Sequence, residues 1–305
     1  MPRNFMKDTP FLPNRPLIAK IFISPAEPRL RAGWRLLIQT ILLICLTIPV
    51  VSLFSLKPIV DLKIRLREVE ELLIFGGSIY LARRFLDKRS FGSLGLKIDR
   101  YAFFDIIAGM GVTFIVIGSM YIVMKAFGWI KFESFAWSSD SWQTIASQTL
   151  PFLMIFTLIG FNEELLWRGY WLQTIASGRN LFWGLILSSA VFGYFHLSNP
   201  NAQWVGAAGD FLIGLFLAYG YACTKQLWLP IGLHIGYNFF DSTVFGFPVS
   251  GWNIYSLIRI NISGPEIWTG GAFGPEAGLI VLPALALGVI MIYLYTHQRW
   301  TKNNS

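Results

Sequence analysis

The segment LIGFNEELLWRGYW places two adjacent glutamates, Glu163 and Glu164, and Arg168 inside an apolar stretch. Ionised groups at bilayer depth are costly, so they are rare and usually functional. The chain has three histidines, and two of them, His196 and His234, lie in other apolar stretches. Asn238 follows His234 by four residues. A Glu/His/His/Asn set in apolar helices points to chemistry, and to hydrolysis before scaffolding.

Spacing assigns the roles. Glu164 and Arg168 are four apart, so they share a helix face and can pair along it. In lipid such a pairing offsets much of the cost of both charges. Glu163 is five from Arg168 and points elsewhere, which leaves its carboxylate for work. Phe192 and His196 are also four apart, as are His234 and Asn238. An imidazole and an amide side by side give two donors aimed at one point, as a developing oxyanion requires. A glutamate and a histidine facing each other across a water supply a general base.

These residues need helices to hold them at one depth. Of the 305 residues 54% are hydrophobic and only 14% charged, and mean hydropathy is +0.53. A soluble domain carries roughly 25% charged residues, so the expected fold is an all-α polytopic membrane protein. Compared with the roughly 20 apolar residues needed to cross, the chain offers about eight spans. They fall at 34–56, 69–82, 102–127, about 144–175, 181–197, 205–224, 227 to about 245, and 279–295. This divides the chain into a basic tail (1–33), a helical domain (34–297) with its chemical core at about 145–245, and a polar tail (298–305). Residues 247–276, rich in Gly, Pro and Trp, read as a long loop. No tandem repeat stands out, and no removable signal peptide is expected at the N-terminus.

The net charge of +8 is not a nucleic-acid signal here; it reports orientation. Lys and Arg concentrate in the N-terminal tail and in the loop from Arg83 to Arg100, which places both termini in the cytoplasm. The basic residues between Lys57 and Arg67 run against that bias. On this reading Glu163 and His196 both lie roughly 21 Å from the cytoplasmic helix ends, and His234 and Asn238 roughly 12 and 18 Å deep. Four polar groups from three helices thus share a layer.

Together the motifs Glu163-Glu164-x-x-x-Arg168, Phe192-x-x-x-His196 and His234-x-x-x-Asn238 resemble the three-motif signature of the CaaX-protease and bacteriocin-processing (CPBP) family of intramembrane proteases. That family includes the lysostaphin-resistance-type proteins. The stretch LIGLFLAYGYACTKQLWLPIGLHIGYN is similar to the family's Gly-rich helix running into its second histidine motif, and SFGSLGLK resembles a further family element. The resemblance covers about residues 145 to 245. It implies an intramembrane endopeptidase of the plasma (inner) membrane acting on a membrane-associated peptide or protein. Glu163 would be the base, His196 its partner on the water, and His234 with Asn238 the oxyanion donors. Glu164, Arg168 and Phe192 would be structural support.

Older descriptions call the family metalloproteases. The chain has no HExxH, and a catalytic zinc wants three protein ligands plus water. Glu163, His196 and His234 could supply three, so zinc stays open as an alternative. The substrate also stays open among prenylated CaaX tails, peptide pheromones and bacteriocin precursors. Two rivals compete with the enzyme. One is a non-catalytic member acting in bacteriocin self-immunity or assembly. The other is a proton-relaying transporter, which paired broken helices would favour and which this sequence does not display.

Other residues carry less. Asp210 is a further intramembrane acid, read equally as functional or as a cap or interfacial group. Cys45 and Cys223 are expected in core packing. Asn261-Ile262-Ser263 matches a glycosylation sequon, His297 has no assigned role, and the Trp and Tyr excess fits interfacial belts.

Overall fold

The computed structural model describes residues 17–25, 27, 29–55 and 60–304. Residues 1–16, 26 and 28 of the expected basic tail, together with 56–59, which include Lys57, lie outside the described residues. Among the described residues eight helices of 11 residues or more dominate. They are α1 (Ala32–Ser55), α2 (Val60–Leu81), α3 (Arg100–Ala126), α4 (Trp142–Glu164), α5 (Leu181–Phe195), α6 (Trp204–Thr224), α7 (Trp228–Asn238) and α8 (Val281–Asn304). The chain is thus an all-α polytopic membrane protein.

Six described helical stretches are long and apolar enough to cross a membrane. Two of the eight expected spans fall short for different reasons. The helix expected at 69–82 begins at Val60, and Glu68, Glu70 and Glu71 before the apolar run and Arg83 after it leave only residues 72–82 uncharged, too few for a simple crossing. α7 has 11 residues and continues through a six-residue π-helical turn, Phe239–Val244. The combined length is less than the roughly 20 residues of a full crossing.

Apolar side chains face outward in rows, as lipid allows. On α1 the exposed residues Leu37, Ile41, Ile44 and Ile48 recur at helical spacing. Cys45 and Cys223 are also exposed, not packed in the core as expected. Each sits on an outward helix face, where a small apolar thiol meets lipid at little cost.

Between lipid-solvated helices there is little hydrophobic driving force, so close van der Waals contact at small residues does the holding. α3 and α7 show it. A Cβ on Gly232 would stand 2.3 Å from the Ile106 carbonyl oxygen, and one on Gly109 would stand 2.5 Å from the Leu233 nitrogen. Only glycine lets these backbones touch. Val112, Val116, Leu217, Leu229 and Leu233 fill the core beside the contact. A second core around Leu165, Tyr170, Phe192, Leu227 and Ile231 lies under the polar motifs.

The SFGSLGLK element docks the start of α7. Gly95, at φ +100°, accepts a hydrogen bond from the Leu227 backbone at 2.8 Å, and the Trp228 indole donates to the Lys97 carbonyl at 2.8 Å. A side chain at Gly95 would be strained by that left-handed backbone.

Residues 247–276 are not a plain loop. They contain β2 (Ile258–Ile262), which pairs antiparallel with β1 (Ile130–Phe135), Ile130 opposite Ile262 and Phe135 opposite Ile258. The sequon residue Asn261 is exposed on β2. Arg29 and Arg35 belong to or adjoin the expected solvated tail, yet both are buried. With Arg83 they converge on the fully buried Asp87, at 3.2, 2.5 and 3.1 Å. The C-terminal tail continues as helix to Asn304.

Candidate active site

α4 ends on the two glutamates, and a π-helical turn, Leu165–Leu172, follows directly. A second such turn begins right after Asn238. π-helical turns re-aim side chains and recur at functional sites. Gly160 brings α4 onto α7, since a Cβ there would meet Ile235 at 3.0 Å. Asn162 ties α4 to α2 by donating to the Glu68 carbonyl at 2.9 Å.

Glu164 and Arg168 form the expected pair, Nη1 to Oε1 at 2.7 Å, with both side chains 0% exposed. Arg168 Nη2 also donates to the Gly214 carbonyl of α6 at 2.9 Å. Its guanidinium lies 4.6 Å from the centroid of the Phe192 ring on α5. Such further contacts offset part of the cost of burying the pair, although Arg168 Nε and Glu164 Oε2 have no hydrogen-bond partner among the described residues. Through these contacts Arg168 ties three helices together.

The same Glu164 Oε1 lies 2.9 Å from His234 Nδ1. A carboxylate paired with arginine only accepts, so the ring proton is assigned to Nδ1. His234 Nε2 then faces Glu163, 3.9 Å from its Oε2. That gap is too long for a hydrogen bond and is the kind a water bridges. His196, just past α5, has Nδ1 2.8 Å from the Phe192 carbonyl. A carbonyl only accepts, so here too Nδ1 carries the hydrogen and Nε2 is left free.

A cavity of about 580 Å³ joins these groups. Glu163, His196, His234, Asn238, Phe192 and Asp210 line it, against apolar walls that include Phe152, Phe156 and Trp167. Glu163 is 23% exposed on its side chain, and its Oε2 has no hydrogen-bond partner among the described residues. The carboxylate is thus poised over the cavity, while Glu164 and Arg168 are sealed behind it.

All four residues expected to act, Glu163, His196, His234 and Asn238, line one cavity, and Phe192 stands with them. Three features were not read from spacing. Glu164 bonds His234 as well as Arg168. The histidine beside Glu163 is His234, with His196 also lining the cavity. Asp210 belongs to the cavity wall, and Glu68 and Glu71 of α2 lie further along it. An acid within an apolar helix was the one signal that could have placed Asp210. The conditional zinc set is not assembled: among the described residues no three His, Cys, Asp or Glu side chains are grouped to hold a metal ion.

Residues 145–240 match the model of the Rce1-like family, described as type II CAAX prenyl endopeptidase. This match, over 145–240 of the 305 residues, is consistent with the CPBP resemblance. The match runs from the first turn of α4 past the end of α7 and takes in Glu163, Glu164, Arg168, Phe192, His196, His234 and Asn238, while the SFGSLGLK element lies outside it. The CPBP resemblance and the family match therefore rest on the same stretch of chain, and the family is one of membrane proteases. No curated protein matches the chain.

Proposed function

We propose that this protein is an intramembrane endopeptidase that hydrolyses a peptide bond of a membrane-associated protein or peptide. The observation that carries the reading is the convergence of Glu163 (on α4), His196 (just past α5), and His234 and Asn238 (on α7) on one cavity with apolar walls. Hydrolysis in a membrane needs water where lipid excludes it, and this cavity offers both polar groups and room.

Glu163 acts as general base. It takes a proton from a water held between it and the histidines, and the water oxygen bonds to the substrate carbonyl carbon. Asn238, with His234 when its Nε2 also carries a proton, donates to the oxyanion that forms. The carbon–nitrogen bond then breaks as the proton returns to the leaving nitrogen. The products are a carboxyl group and an amine, and water is the sole co-reactant. Glu164 and Arg168 hold His234 in orientation and do not touch substrate. The apolar walls from α4 suit a lipid-borne or hydrophobic substrate segment, and a CaaX-type tail is the substrate class the family match favours.

The test is turnover of purified protein in detergent on a fluorogenic CaaX-type peptide, farnesylated and unmodified, beside Glu163→Gln. General acid–base catalysis contributes roughly 10²–10⁴-fold, so the variant should lose at least about 10²-fold while its folded yield is unchanged. Undiminished turnover would remove Glu163 as the base.

A further inference from the structure

We propose that Asp210 is the charge partner of His196 and sets that histidine's capacity to hold a proton during hydrolysis. The proposal rests on the protease reading above and adds a positioning residue to it.

Asp210 is placed by helix packing. α5 and α6 approach at Gly193, where a Cβ would stand 2.4 Å from the Ala207 carbonyl oxygen and 2.8 Å from the Phe211 nitrogen. α5 and α6 run antiparallel, and Gly193 fits between Ala207 and Phe211, so Asp210 lies level with Gly193 and His196 lies one turn beyond it on the facing helix. Both side chains line the cavity.

The bland roles for this acid do not hold. The N-cap of α6 is Gln203, and Asp210 lies well inside the helix. It is 3% exposed, so it is not an interfacial group. Its Oδ2 is buried and without a hydrogen-bond partner among the described residues. A buried carboxylate oxygen with no bond is costly unless a charge answers it. The ionisable groups acting on Asp210 are His196 first, then Glu163 and His234. Those acting on His196 are Asp210, Glu163 and Arg168.

The tautomer supplies the chemistry. His196 spends its Nδ1 hydrogen on the Phe192 carbonyl, so any proton it gains goes to Nε2 and makes the ring cationic. Arg168 opposes that charge and Asp210 compensates it. Charge partners in a low-dielectric site act strongly because little water screens them. Glu163 then faces His234 across 3.9 Å, and Asp210 and His196 share the same cavity wall. The first two give water activation, and the other two a second holder for the proton that must reach the leaving nitrogen.

The experiment uses the full chain in detergent and compares Asp210→Asn and Asp210→Glu with wild type and with Glu163→Gln. Asp210→Asn should lower kcat at least about tenfold with KM unchanged and folded yield retained. Asp210→Glu should recover most of kcat. Wild-type kcat in Asp210→Asn, or a loss confined to KM or to folded yield, would overturn the proposal. If neither variant folds, Asp210 is structural and the proposal also falls. If Glu163→Gln is fully active, the protease reading itself has failed, which separates the two outcomes.

Discussion

Glu164 Oε1 accepts from His234 Nδ1 at 2.9 Å and from Arg168 Nη1 at 2.7 Å. One oxygen therefore binds a residue four positions away on its own chain segment and a residue seventy positions away on another helix. The first bond keeps a buried charge compensated. The second turns the His234 ring so that Nε2 faces Glu163. The glutamate that spacing marks as support also aims the histidine.

Arg168→Ala should lower the folded yield in detergent. Removing one member of a buried ion pair costs about 3–5 kcal/mol, since it strands the other charge. Arg168→Lys should rescue little, because a lysine cannot reach Glu164, the Gly214 carbonyl and the Phe192 face together as a planar guanidinium does. Thermal unfolding checks this. Normal thermal stability with no turnover would instead make Arg168 a direct participant in the chemistry.

Glu164→Gln should reduce kcat strongly, because a neutral amide no longer compensates Arg168 or fixes the His234 ring. The loss should appear in kcat more than in KM, since Glu164 lies behind the cavity and does not touch substrate. Full turnover with normal stability would show that His234 is oriented by other means.

Prolonged chelation should leave turnover intact, because the base and the oxyanion donors are side chains of this chain. Loss on chelation, with recovery on adding zinc, would recast Glu163, His196 and His234 as ligands.

Gly232→Val should destabilise the fold by about 1–3 kcal/mol or more, as forced overpacking does, because its Cβ would meet the Ile106 carbonyl at 2.3 Å. Gly111→Ala is the control on α3, where a Cβ meets nothing within 4 Å. Equal stability of the two variants would show that the α3–α7 contact is not tight.

The basic loop from Arg83 to Arg100 should face the cytoplasm and the β1–β2 side the opposite compartment. Ser90 and Asn253 are exposed and can each be replaced by cysteine in a variant lacking Cys45 and Cys223. An impermeant thiol reagent on intact cells should label position 253 and not 90. The reverse pattern overturns the orientation, and labelling at both overturns the number of crossings between them.

The residues by themselves determine that the chain is a helical membrane protein, which motifs carry polar groups into it, and that Glu164 pairs with Arg168. All of these depend on composition or on the 3.6-residue period, which relates residues within a turn of each other. The tertiary structure alone decides which histidine meets Glu163, that Glu164 reaches His234, that Asp210 closes the cavity wall, and that residues 130–135 and 258–262 pair as strands. It also buries Arg35 and Arg29 against Asp87, which a count of basic residues reads as a solvated tail. These contacts join residues tens of positions apart, and their geometry follows from where helices dock. That docking is set by close backbone approach at Gly109, Gly160, Gly193 and Gly232, each of which reads in the sequence only as a small residue in an apolar run.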